Sequence, residues 1–256
     1  MHLSKLYKLS ILAAVILGMG SPAPSLAMTK SEDTLRQGLP GRRISGGSRV
    51  PSDACVTDQQ PLMALVPDEN LGLTSEASPT FWFSLPTVDA SKSLEFGLFD
   101  ENGAQLYQTM LSASGKAGVI GIDLGELEGA PALRVDQNYR WSLSIVCNAQ
   151  NPSENLWVDG WVRRIELPSS VTSRLPQTPP RHQSEVYLEA GLWHEGLTQL
   201  AQQVSWSRTD PNGPSPSGST AETQWQTLLE SIDLAQAATA PVFEVFAPSD
   251  LSASPD

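Results

Sequence analysis

The sequence predicts a mainly β protein: an immunoglobulin-like or fibronectin-like antiparallel β-sandwich with a small helical C-terminal appendage. Three observations carry this. Pro79–Pro86, Pro-Thr-Phe-Trp-Phe-Ser-Leu-Pro, is a short aromatic run closed by proline at both ends, as in a buried strand with marked limits. In Tyr139–Cys147 apolar and polar residues alternate, placing Tyr139, Trp141, Leu143, Ile145 and Cys147 on one face and Arg140, Ser142 and Ser144 on the other. Finally, a series of short apolar segments between Pro61 and Leu167 is punctuated by turn residues and contains no helical periodicity, which favours packed antiparallel layers over a parallel sheet.

The elements follow in order. Residues 1–27 read as a secretory signal: Lys5 and Lys8, an apolar run from Leu9 to Met19, and Ser25-Leu26-Ala27 before the expected cleavage. The run is shorter than the roughly 20 apolar residues a spanning helix needs. No cysteine follows it and no twin arginine precedes it, so the expectation is Sec export to a periplasmic or extracellular location, with no stable membrane insertion after cleavage. Residues 28–51, rich in Gly, Ser, Pro and Arg, read as a mobile arm. Its Arg36, Arg42, Arg43 and Arg49 form a local positive charge, and Gly46-Gly47-Ser48 could offer backbone N–H groups to an anion.

Residues 52–168 are the expected sandwich. Pro61–Val66 reads as a strand and Asp68–Thr74 as a polar turn. Ser93–Phe99 and Ala104–Leu111 form a hairpin around Asn102-Gly103. Val119–Leu124 and Leu156–Leu167, the latter carrying Trp157 and Trp161, supply further strands. Tyr139 stands six residues after Leu133, a spacing like that of a tyrosine corner. Trp82 and Phe99 would point away from the core and need a cover, expected from the C-terminal segment. In residues 169–236 helical patterns occupy Ser169–Leu175, Arg181–Ala190, Trp193–Val204 and Glu222–Leu234, with apolar stripes such as Trp193, Leu197, Leu200 and Val204. Residues 237–256 read as a tail.

Composition narrows the function. A net charge of −12 argues against sequence-independent nucleic-acid binding and against an anionic membrane surface. Two cysteines, Cys55 and Cys147, in an exported chain predict one disulfide. His194-Glu195 begins a zincin-like pattern, but Thr198 stands where the second histidine belongs. No metal site, cofactor motif, serine-hydrolase elbow or P-loop is found, so no catalytic residue is nominated. Tyr187–Leu197 is similar to the helix junction of a tetratricopeptide unit, yet a lone pair cannot stand without about three repeats, so a helical hairpin packed on the sandwich is expected.

Several phrases occur in a telling order: Pro40-Gly-Arg-Arg43, Gly46-Gly-Ser-Arg49 before Cys55, Pro61–Pro67, Pro79–Pro86, Tyr139-Arg-Trp141 running to Cys147, Gly160-Trp-Val-Arg163, Gly191-Leu-Trp193 and Trp225–Leu229. Through them the chain resembles, over roughly residues 36–235, a family of exported cyanobacterial proteins defined only as a domain of unknown function, number 928. The resemblance implies export and carries no activity. The expected function is a non-enzymatic binding module of the cell envelope, with an envelope or exported protein as partner and Arg42, Arg43, Arg49 and Trp193 as contact residues. The alternative is an envelope glycan hydrolase, which would need two carboxylates about 5–10 Å apart in a cleft.

Overall fold

β3 (Thr80–Leu85) is buried on both faces, and the architecture follows from what each face meets. The computed structural model describes residues 39–46, 55–58, 60–209 and 220–243; the expected signal, Arg36 and Arg49 lie outside them. β1 (Met63–Ala64), β3 and β6 (Gly118–Asp123) form a three-stranded antiparallel sheet in the order β1-β3-β6. A second sheet has five strands, in the order β2 (Leu71–Thr74), β8 (Leu156–Arg164), β7 (Asn138–Val146), β4 (Ser93–Asp100) and β5 (Gln105–Ser112). Phe81 and Phe83 on one face of β3 point at the larger sheet. Phe81 lies 5.4 Å from Phe96 and 5.9 Å from Trp141, ring centre to ring centre, and Phe83 lies 5.4 Å from Trp141. Leu94, Leu98, Leu143, Ile145, Val158 and Val162 complete this first core.

The other face of β3 meets helices. They are α1 (Ser169–Arg174), α2 (Gln183–Glu189), α3 (Trp193–Thr209), α4 (Thr220–Ser231) and α5 (Ala235–Ala238). Gly191, at φ +76°, makes the left-handed turn that separates α2 from α3. Met63, Leu65, Trp82 and Val119 pack against Trp193, Leu197, Leu200, Val204, Trp225 and Leu229 in a second core. The Trp82 indole N–H donates to Thr198 Oγ1 at 2.9 Å. The C-terminal segment therefore covers Trp82, as expected. The described part of that segment does not reach Phe99, which lies half-buried on the outer face of the five-stranded sheet, across Gly97. The Arg208 guanidinium ties the last turns together, donating to Glu222 on α4 and to the carbonyls of Ala238 and Ala240.

The chain is thus a mixed α/β protein with two sheets and a helical C-terminal part. Four expectations need correction. The strands are not all antiparallel: β2 runs parallel to β8, Leu71 beside Trp161 and Thr74 beside Arg164. Asp68–Thr74 is a turn only in its first half. Asn70, at φ +57°, reverses the chain and sends Leu71–Thr74 along the sheet edge. The arm is docked where it is described, with Arg42 bridged to Asp159 and Ile44 to Met63. Backbone bonds to Asp159 and Leu62 and side-chain bonds from Arg43 and Trp161 hold it there, with partners that lie far off in the sequence. The expected tail likewise begins inside α5 and then bridges β6: Val119 N–H donates to Pro241 O at 2.7 Å and Phe243 N–H to Val119 O at 2.9 Å.

Candidate functional site

Among the described residues no helix lies on the outer face of the five-stranded sheet. On it, β7 contributes Arg140, Ser142 and Ser144, and β8 contributes Trp161, Asp159 and Trp157 directly opposite them. Strict alternation puts these side chains on one face because their neighbours Trp141, Leu143, Val158 and Val162 fill the core behind. The N-terminal arm closes one wall: Trp161 Nε1–H donates to Pro40 O at 2.8 Å, and Arg42 and Asp159 exchange backbone hydrogen bonds at 3.2 and 3.0 Å. The result is an open groove of about 440 Å³ lined by Pro40, Gly41, Arg42, Arg140, Trp157, Asp159 and Trp161.

Asp159 is only 3% exposed, so its charge must be met. Oδ1 accepts the Arg42 backbone N–H at 2.9 Å and Oδ2 accepts Arg140 Nε–H at 2.8 Å. The Arg42 guanidinium lies over the Trp157 ring, 4.3 Å from its centre, a cation–π contact that holds a positive charge at the mouth. Two guanidiniums and one carboxylate leave this groove net cationic in a chain of charge −12. Among the described residues Asp159 is the one carboxylate that lines it. The lining offers indole faces to flat or apolar groups and guanidiniums to anions.

Arg43 and Trp193 lie elsewhere, and Arg49 is outside the described residues. Arg43 is a brace, pairing with Asp68 at 2.8 Å and donating to Val66 O at 3.2 Å and Ile232 O at 3.0 Å. It pins the arm to the strand end and to the end of α4. Trp193 is buried in the helix–sheet core and its indole N–H donates to Leu65 O at 2.9 Å. It borders a separate apolar hollow of about 240 Å³ with Leu71, Leu73 and Leu188. Cys55 and Cys147 are joined, Sγ to Sγ at 2.06 Å. Of the expected residues that are described, only Arg42 reaches the groove, and Asp159, which organises it, is not visible as a candidate in the sequence. The available signal was the triplet Trp157-x-Asp159-x-Trp161 on one strand face.

His194 and Glu195 have a structural task. His194 Nδ1–H donates to Thr80 O at 3.0 Å, and the ring stands edge-on to Phe81 beneath Gly72. Burial pushes its pKa down, against the opposing pull of the Thr80 carbonyl and the Glu195 carboxylate. Glu195 Oε1 accepts both Ser75 N–H and Ser75 Oγ–H at 2.6 Å, fastening α3 to the end of β2. Glu76, open to solvent on one side, is pushed up by partial burial and then by Glu195 and Asp123; Tyr187 is raised by partial burial and then by Glu195 and Glu76. Among the described residues no three His, Cys, Asp or Glu side chains converge as a metal ion would require, and no helix is long and apolar enough to cross a membrane.

No curated protein matches the sequence. A family model does, over residues 44–242, and its description is Domain of Unknown Function (DUF928). Arg140, Trp157, Asp159 and Trp161 fall inside the matched stretch and Arg42 just outside it.

Proposed function

Since the chain belongs to the DUF928 family, which fixes kinship but no chemistry, we propose that it is an exported, non-enzymatic binding module of the cell envelope whose groove holds an acidic extended segment of a partner protein. The observation that carries this is the open, net-cationic groove, with two indoles and two guanidiniums on a sheet face that no described helix covers. Export is supported by the Cys55–Cys147 bond, since such bonds persist in oxidising compartments. We read the two sheets as the layers of an immunoglobulin-like sandwich. In support, the Tyr139 hydroxyl accepts Arg134 N–H at 2.9 Å, the backward bond of a tyrosine corner.

The test is recovery of partners from an envelope extract on the immobilised chain, comparing wild type with the Arg42→Ala/Trp157→Ala double variant. Loss of a hot-spot indole and its cation should reduce capture by about tenfold or more. Trp161→Phe keeps the ring but loses the bond to Pro40 O, so it separates undocking of the arm from loss of the groove surface. Equal recovery by wild type and double variant overturns the reading.

A further inference from the structure

β5 is an edge strand of the five-stranded sheet and, among the described residues, pairs with β4 alone. Ala113 N–H donates to Lys92 O at 3.2 Å, and Ser93 stands opposite Ser112. By alternation, Tyr107, Thr109 and Leu111 turn their backbone groups toward β4, while Gln108, Met110 and Ser112 turn theirs to the open edge. Open edges are normally guarded by charges, prolines or bulges. Ala104–Ser112, Ala-Gln-Leu-Tyr-Gln-Thr-Met-Leu-Ser, contains no charge and no proline, in a chain of net charge −12. A register shift leaves Leu106 without a partner on β4, close to the hairpin; the rest of the strand is regular. Leu106 and Met110 are 43% and 52% exposed, two of the five large apolar side chains left open among the described residues.

We propose that this edge pairs with the same edge of a second copy of the chain, antiparallel, about a two-fold axis at Gln108, so that one sheet runs through both molecules. The sequence around Gln108 is self-complementary in the way an isologous interface requires. In this register Gln108 meets Gln108, and Leu106 of each copy meets Met110 of the other. Tyr107 meets Thr109. The residues whose backbone groups face outward on one strand then lie opposite those facing outward on the other, so the ladder closes. Both exposed apolar pairs leave water together. Like charges directly opposite each other would oppose such pairing, and the strand has none. The groove on β7 and β8 is untouched, because β4 lies between β7 and β5. A pair of chains therefore presents two grooves, and a partner with repeated acidic segments would gain avidity from holding both.

Sedimentation of the purified chain from micromolar to hundred-micromolar concentrations tests the proposal. Wild type should sediment as a dimer at the upper end of that range. Met110→Lys, at an exposed position, should weaken the dimer by about tenfold or more and leave the far-ultraviolet circular dichroism unchanged. Gln108→Cys supplies an independent reading. Directly opposed strand residues stand about 4.5–5.5 Å apart, within reach of a disulfide, so mild oxidation should link two chains through Cys at this position. Glu101→Cys, in the hairpin loop, should not link. A wild type that stays monomeric throughout, a dimer indifferent to Met110→Lys, or equal cross-linking by both cysteine variants would overturn the proposal.

Discussion

Asp159 sits under the groove with its two oxygens divided between the backbone of the arm and the side chain of Arg140. Truncating Arg140 leaves a buried carboxylate with a single amide donor. Breaking a fully buried pair costs about 3–5 kcal/mol, but Arg140 is 40% exposed and its charge is partly screened. Arg140→Ala should therefore lower unfolding free energy by about 1–2 kcal/mol in urea titration. Equal midpoints and slopes for the variant and wild type would show that the pair contributes nothing. His194 gives the chain a pH dependence of known sign. Its folded pKa lies below the ordinary 6.5, so the folded state prefers the neutral ring. The stability tied to that preference is complete above 6.5. It drains away as pH falls below 6.5, where the unfolded chain takes up the proton first, by at most about 1.4 kcal/mol per pH unit. The groups facing the ring are the Thr80 carbonyl, Phe81 and Glu195. Glu76, raised from 4.5, acts in the opposite sense, losing its contribution as pH rises through its folded value. Urea midpoints at pH 7.5 and 5.5 should diverge less in His194→Leu than in wild type; identical divergence would remove His194 as the cause.

At the scale of elements, what the sequence reveals depends on what holds each segment. β3 and β7 are legible because burial on a pleated face forces a two-residue rhythm, and their lengths match the expected strands within a residue or two. The cover over Trp82 is legible because an indole that size on an outer face requires one. β2 is not legible. Leu-Gly-Leu-Thr has low strand propensity, and it is extended only because β8 bonds it on one side and α3 packs on it. Gly72 is small there because a Cβ would stand 2.5 Å from His194 Nε2, a reason that exists only once α3 is in place. The arm and the Val119–Val242 bridge are equally hidden, since backbone groups make those bonds. The disulfide is legible from count and expected compartment. It ties the segment before β1 to the end of β7 across a separation of 92 residues. Chain-entropy arguments value such a link at about 4–5 kcal/mol, less any strain. Cys55→Ser/Cys147→Ser should lose most of that in urea titration, and a variant as stable as wild type would mean the link adds little to the packed sheets.

For the whole molecule, the two faces differ in what covers them. The helices seal the three-stranded sheet, where Trp82, Trp193 and Trp225 are buried, and Trp141 is enclosed between the sheets. The remaining three of the seven tryptophans are not buried: Trp157 and Trp161 in the groove, and Trp206 on α3. This division lets one observation examine the central claim. With nitrogen-15 in the indoles, the chain gives one N–H signal per tryptophan, and an envelope extract or a poly-glutamate probe can be titrated in. If the groove is the working surface, the Trp157 and Trp161 signals shift or broaden while the four buried indoles stay in place. Arg42→Ala should weaken that response. Perturbation confined to Trp206, or spectra unchanged to saturation, would contradict the account.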